Sequence, residues 1–323
     1  MSKVTINEVA QLAGVAKSTV SRYLNGGYVS VATREKIDQV IKETNYAPNL
    51  FAQSLKAKQT NLVGVIVPRL NSYAVSLTLK GIDEQLRESG YQMLVSNSNQ
   101  LLEREIESIY SFANQKVAGI ILIATSITKR HFQAAHELSV PVLSVGQASD
   151  KLPSLIYDDE LAGRLIGEYM LAKGHRNLIY MGVPESDIAV GLRRKQGFQE
   201  AVKECAVDYY ESGFLMEQAY HLFLEIASSE HFQVKTAVVC ATDNIAIGVM
   251  RAAQSLEMNI SITGFGDYEV ADLIGLTTVK YPYEEVGKAA AKKIASLTEV
   301  EHCQTVFSKG IKLVERRSVK SEG

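Results

Sequence analysis

The sequence predicts an α/β protein in two parts: a small all-α helix-turn-helix head over residues 1–60, then a two-lobed region of doubly wound parallel sheets over residues 61–323. Three observations carry this. Residues 4–25 place apolar side chains at helical spacing on both sides of one glycine. From Leu62 onward short apolar runs alternate with amphipathic stretches, the order that puts helices on the faces of a parallel sheet. Charge also separates the parts. Residues 1–60 hold eight Lys/Arg against four Asp/Glu, a balance of +4 in a chain that totals −2, so residues 61–323 carry −6. A basic head on an acidic body is the asymmetry of a nucleic-acid module fused to something else.

In the head, Ile6, Val9, Ala10 and Ala13 share one face of a first helix. Ala10 is small where a second helix must cross closely. Gly14 stands where the turn needs a positive φ, which glycine adopts without steric cost. Val15 and Val20 fill the angle between the helices and leave Lys17, Ser18, Arg22 and Tyr23 outside on the second. A second helix after such a turn enters the major groove with its first residues against base edges. Helical hairpins with a glycine turn are common, but two features favour DNA. One is the basic charge. The other is a third amphipathic stretch, Thr33 to Tyr46, with Ile37, Val40 and Ile41 apolar. Pro48 ends that helix by removing a donor and restraining Ala47. The segment Leu50–Lys56 that follows is too short to be a stable helix alone in water.

In the body, Leu62–Val67 is a continuous apolar run, as a buried parallel strand requires. Leu77–Ser89 reads as a helix closed by Gly90, and Tyr91–Ser96 as the next strand. Glu103–Gln115 is a helix; Gly119–Ala124 and Pro141–Val145 are strands. The pattern restarts with helix Leu161–Lys173, strand Leu178–Gly182, helix Arg193–Glu204, strand Ala237–Cys240, helix Ile245–Ser255 and strand Ile260–Gly264. Two such runs imply two lobes.

Ligands of open parallel sheets sit beyond the carboxyl ends of the strands. The residues that follow the strands are therefore the informative ones. They are Pro68-Arg69-Leu70-Asn71-Ser72-Tyr73, then Glu185-Ser186-Asp187, the stretch Gly191 to Phe198, Ala241-Thr242-Asp243-Asn244, and Gly264-Phe265-Gly266-Asp267. Polar groups converging on one cleft suit a sugar, whose hydroxyls each need a donor or acceptor. Arg69 is the sharpest of them. An arginine just past a buried strand is costly without an anionic partner, and its guanidinium suits a phosphate bidentately.

The motifs Thr5-Ile6-Asn7-Glu8-Val9-Ala10, Gly14-Val15, Ser18-Thr19-Val20-Ser21-Arg22 and Leu24-Asn25 resemble the lactose-repressor (LacI/GalR) family, and the resemblance runs through the whole chain. It implies a two-lobed fold similar to periplasmic sugar-binding proteins, with the ligand between the lobes. It implies DNA contacts at Thr5, Lys17, Ser18, Thr19, Ser21, Arg22 and Asn25. It also implies a hinge helix over Leu50–Lys56 that orders on operator DNA, with Leu55 as a minor-groove wedge and Lys56 beside it. For the effector it implies Arg69, Asn71, Ser72, Tyr73, Arg194 of the Arg-x-x-Gly motif, Thr242, Asp243 and Tyr283, the last equally readable as a packed linker tyrosine. Tyr157-Asp158-Asp159 and Gly174-His175-Arg176 match the family's lobe-crossing and helix-end signatures. The second lobe looks closest to trehalose repressors, with sucrose-type repressors similar. Both point to a phosphorylated disaccharide, trehalose 6-phosphate or sucrose 6-phosphate. Three positions depart from the family. Ala16 replaces a capping serine, which forgoes about 1 kcal/mol and predicts a slightly frayed recognition helix. Gln53 replaces an arginine, and Gly266 stands where an aspartate is common.

The rival reading is a cytoplasmic enzyme that processes sugar phosphates. No Gly-x-Ser-x-Gly, Walker loop or His-x-x-x-His supports it. Asp158-Asp159-Glu160 reads as the charged start of a helix and not as a metal site. His131, His136, His221, His231 and His302 lack ligand spacing and read as surface histidines. Cys205, Cys240 and Cys303 are scattered and read as reduced thiols. No apolar run reaches the roughly 18 residues of a membrane span, and no leader pattern precedes the head. The expectation is a cytoplasmic homodimer that binds near-palindromic operator DNA and a sugar or sugar phosphate, with no cofactor.

Overall fold

The computed structural model describes residues 4–24, 26–46, 60–138, 140–229, 237–296 and 303–322. The chain divides into two compact units, 1–60 and 61–323.

The first unit contains helices α1 (Ile6–Leu12), α2 (Lys17–Leu24) and α3 (Val31–Thr44). Val9, Ala10, Ala13, Val20, Ile37 and Val40 form its core. Gly14 has φ +62°, as the turn demands. The first turn of α2 is formed, with the Ala16 carbonyl accepting from the Thr19 N–H at 2.9 Å and the Val20 N–H at 3.2 Å. Helix α3 starts two residues before its expected position because Ser30 caps it, accepting from the Thr33 N–H at 3.4 Å. Tyr23 is not on the outer face. It lies one turn from Val20, is half-buried against the core, and its hydroxyl donates to Asp38.

The second unit contains two six-stranded sheets. In the first sheet lie β1 (Leu62–Val67), β2 (Gln92–Asn97), β3 (Gly119–Leu122), β4 (Val142–Val145) and β5 (Ser154–Tyr157). Helices α4 (Tyr73–Glu88), α5 (Leu102–Asn114) and α6 (Lys129–Leu138) alternate with them. The chain then crosses and builds the second sheet. Its elements are α7 (Asp159–Ala172), β6 (Asn177–Gly182), α8 (Arg194–Ala201), β7 (Ala206–Glu211), α9 (Met216–Ala227), β8 (Ala237–Cys240), α10 (Asp243–Ser255), β9 (Ile262–Gly266), α11 (Glu269–Ile274) and β10 (Thr277–Lys280). Here the structure departs from a simple two-run reading. Helix α12 (Tyr283–Ser296) and strand β11 (Gln304–Phe307) return to the first lobe, and β12 (Lys312–Val314) goes back to the second.

Strand order is β11-β5-β4-β3-β1-β2 in one sheet and β12-β10-β9-β8-β6-β7 in the other. Every pair is parallel except β12 with β10. Val65 sits opposite both Val95 and Ile121, so β1 is central and buried. The returning helix supplies Val286, Ala290, Ala291 and Ile294 to the core that Val63 and Val65 begin. The second lobe packs Tyr180, Phe198, Phe223 and Phe265 into one cluster.

His131 is not a surface histidine. It is fully buried, its Nε2 lies 2.9 Å from the buried Glu105, and its Nδ1 accepts from the Thr128 N–H at 3.0 Å. It thereby secures the start of α6. His136 and His221 are exposed, whereas His231 and His302 lie outside the described residues. Among the described residues no helix is long and apolar enough to cross a membrane.

Candidate functional site

The head presents one face of α2. Lys17, Ser18 and Arg22 are exposed, and Thr19 and Ser21 are half-buried beside them. The Arg22 carbonyl accepts from the Gly27 N–H at 2.8 Å, so its backbone is held while its side chain is free to reach outward. Thr5 has local work. Its N–H donates to Glu8 at 2.7 Å and its hydroxyl accepts from the Glu8 N–H, closing a capping box on α1. Asn25, Leu55 and Lys56, with the whole Leu50–Lys56 segment, lie outside the described residues.

In the second unit a cavity opens between the two sheets at their carboxyl ends. Arg69, Ser72, Arg194, Thr242 and Tyr283 all line it. Five residues foreseen from separate stretches of sequence therefore meet. Asn71 lies in an outer chamber that shares Arg69 with the cavity. Tyr73 is one layer back, its ring 4.5 Å from that of Tyr268, which does line the cavity. Asp243 is also behind the lining. It is fully buried, accepting from the Thr278 hydroxyl at 2.6 Å and the Tyr268 N–H at 2.8 Å. Burial pushes its carboxyl up to about 6 despite those two donors. Its neighbours Thr242 and Asn244 face the cavity instead.

Arg194 is placed by a close helix crossing. A Cβ on Gly163 of α7 would stand 2.0 Å from the Arg194 carbonyl, and one on Gly197 of α8 would stand 2.0 Å from the Glu160 carbonyl. Two glycines let the backbones touch, which brings Arg194 against Asp159. Its Nε and Nη2 donate to Asp159 Oδ1 at 3.0 and 2.6 Å, and Tyr281 donates to the same oxygen at 2.8 Å. Burial pushes the Asp159 carboxyl up, while the guanidinium and the tyrosine hydroxyl pull it back. One Arg194 Nη1 hydrogen goes to the Ala241 carbonyl. Since arginine has five donors, two remain for a ligand.

Arg69 is arranged differently. Its guanidinium lies 3.9 Å over the ring of Phe214, which belongs to the other lobe. Its Nε is buried without a hydrogen-bond partner, and among the described residues no carboxylate lies within ion-pair distance. Burial lowers its proton affinity, with the Asp187 carboxyl opposing from farther away.

Sequence reasoning missed Gln147, Phe214 and Tyr268 as lining residues, whereas Asp187, read from the sequence as a strand-end cleft residue, does line the cavity. Gln147 follows β4, so the strand-end rule would have found it. Phe214 follows β7, a half-exposed edge strand whose sequence shows no apolar run. Asp187 caps a six-residue π-helix, Ile188–Arg193, a local distortion often found at functional sites.

Comparison with known proteins decides the lineage. Residues 60–313 match the family described as periplasmic binding proteins and sugar binding domain of LacI family, and residues 5–49 match bacterial regulatory proteins, lacI family. The chain belongs to the LacI family. Among its relatives, the sucrose operon repressor of Staphylococcus xylosus is 36% identical over 308 residues, covering 91% of this chain and 93% of the relative. The transcriptional regulator TreR of Escherichia coli (strain K12) is 30% identical over 305 residues, covering 92% and 95%. The crystal structure of a lac repressor dimer bound to operator and the anti-inducer ONPF superposes with TM-score 0.88, covering 99% and 100% at 24% identity, a likeness of fold. These LacI-family relatives are transcriptional regulators and not enzymes. This LacI-family chain is accordingly a DNA-binding regulator, with the helix-turn-helix in its first unit and the two-lobed binding fold in its second.

Proposed function

We propose that this LacI-family protein represses a carbohydrate-utilisation operon and leaves its operator when a phosphorylated disaccharide fills the cleft. The observation that carries this is Arg69. A half-buried guanidinium with a sealed, unpartnered Nε and, among the described residues, no carboxylate at ion-pair distance is an unmet charge facing a cavity. Such a charge is costly unless a ligand supplies the anion, and a phosphate does so with two parallel hydrogen bonds. The tyrosines and Phe214 offer apolar faces to sugar rings, and Thr242, Asn244, Ser72 and the spare Arg194 donors address hydroxyls. Sucrose 6-phosphate is the first candidate, because the sucrose operon repressor is the more similar of the two relatives described. Trehalose 6-phosphate is the second.

On the DNA side, Lys17, Ser18, Thr19, Ser21 and Arg22 read the major groove, with Thr5, Asn25, Leu55 and Lys56 assigned by family resemblance. A homodimer presents two recognition helices to a near-palindrome whose half-sites lie about one helical turn apart. The protein works where its DNA is, in the cytoplasm, and needs no cofactor.

The test is calorimetric titration of sucrose, trehalose and their 6-phosphates into wild type and Arg69→Ala. Wild type should bind one phosphate ester at least about tenfold (~1.4 kcal/mol) more tightly than its parent sugar, and Arg69→Ala should erase that preference. Equal binding of sugar and ester, or a preference that survives the substitution, overturns the phosphate assignment.

A further inference from the structure

The cleft has two chambers, and four residues line both: Arg69 and Thr125 from the first lobe, Asp187 and Phe214 from the second. These residues form a neck. Arg69 and Phe214 are already stacked on each other there. Asp187 is the acidic group of the neck; burial pushes its carboxyl up, the Val190 N–H and Gln147 pull it back, and its two oxygens are used unequally. Oδ1 accepts from the Val190 N–H at 3.1 Å, which caps the π-helix, and from Gln147 Nε2 of the opposite lobe, also at 3.1 Å. Among the described residues no group donates to Oδ2. A helix cap alone calls for no charge, since serine or asparagine caps as well. A carboxylate here adds two things that a neutral cap lacks: a second acceptor open to the cavity, and an acidic group that acts on Arg69 from beyond ion-pair distance.

We propose that Asp187 is a specificity-determining residue of the effector site. Its Oδ2 accepts a sugar hydroxyl at the neck between the two chambers, while Oδ1 ties that recognition to the opposite lobe through Gln147. The inference rests on the sugar-phosphate reading of the cleft and deepens it. It makes the favoured ligand one long enough to pass the neck, a disaccharide phosphate and not a monosaccharide phosphate. The charge on Asp187 disfavours a phosphate at its own side of the neck and so leaves the anion to Arg69. Asp187 therefore orients the ligand as well as binding it.

The experiment compares wild type, Asp187→Asn and Asp187→Ser by calorimetry against sucrose 6-phosphate, trehalose 6-phosphate, glucose 6-phosphate and inorganic phosphate. Both variants keep a helix cap, and asparagine also keeps an acceptor for Gln147. Melting curves within a few degrees of wild type show that each is folded. The expected result is at least a tenfold loss of disaccharide-phosphate affinity in both variants. Inorganic phosphate should bind as in wild type or more tightly, because a nearby negative charge is gone. Glucose 6-phosphate should change less than the disaccharide esters. If wild type binds a disaccharide phosphate and Asp187→Asn binds it within twofold, this inference falls and the reading of the cleft stands. If wild type binds none of the esters, both fall. If only Asp187→Ser loses affinity, Asp187 is a lobe brace and the specificity role is overturned.

Discussion

At the scale of single residues, charge placement separates the two kinds of recognition. Arg22 is exposed on the outer face of α2, with its backbone already committed to the turn that follows. Removing its side chain should therefore leave the head folded. We expect Arg22→Ala to cost about 1–3 kcal/mol of operator affinity and to relax preference at one base position. Selection of binding sites from a random pool checks this, and an unchanged consensus would sink the role assigned to Arg22. Thr5 makes the opposite point. Its family resemblance suggests DNA, yet its hydroxyl and N–H are both engaged with Glu8. Asp243 is similar, a residue that the sequence places at the ligand and the structure places one layer behind it, bracing Tyr268 and Thr278. Periodicity and motif locate such residues to within one layer. Only the packed side chains tell the lining from its support.

At the scale of elements, the site depends on how closely two helices approach. The crossing of α7 and α8 at Gly163 and Gly197 leaves no room for a methyl group. Gly163→Ala would put a Cβ 2.0 Å from the Arg194 carbonyl and 2.7 Å from the Phe198 nitrogen, both rigid backbone atoms. The helices must separate, which costs about 1–3 kcal/mol as overpacking and pulls Arg194 from Asp159. Chemical denaturation should show a lowered midpoint, and calorimetry a weakened effector. A midpoint and affinity equal to wild type would mean that the crossing tolerates more room than its geometry allows. The apolar runs made β1 and β8 readable, because buried parallel strands are apolar on both faces. The edge strands β2 and β7 have one face open, so β7 with its Asp208 and Glu211 carried no such signal. Helix α7 begins at Asp159, ahead of its apolar stripe, because Asp158 caps it at 3.0 Å through the Leu161 N–H. That cap puts Asp159 in the first turn, where it meets Arg194.

At the scale of the whole molecule, effector and operator act through the same protein and are bound by reciprocity. Whatever factor the effector takes from operator affinity, the operator must take from effector affinity. Couplings of this kind run to about 1–3 kcal/mol, roughly 5–150-fold. Titrating the effector with and without saturating operator, and the operator with and without saturating effector, should give one ratio. Cross-lobe contacts at Arg69–Phe214, Tyr73–Tyr268 and Gln147–Asp187 are the places where a ligand can favour one lobe angle over another. An effector that binds tightly and leaves operator affinity untouched would show that these contacts do not report to the head.

The helix-turn-helix, the alternation of strand and helix, and an arginine just past a buried strand were all legible in the sequence. Each of these is a local matter: helical spacing around Gly14, continuous apolar runs in buried strands, and a charge set just past the end of one. Which distant segments share a wall follows from the packed fold alone. The chain returns α12 and β11 to the first lobe after completing most of the second. Arg69 finds Phe214, and Gln147 finds Asp187, across a cleft that no local pattern encodes. The reason is physical. Periodicity reports which face of an element is buried, whereas the order of strands in a parallel sheet is set by crossovers and by the long-range fit of one buried face against another.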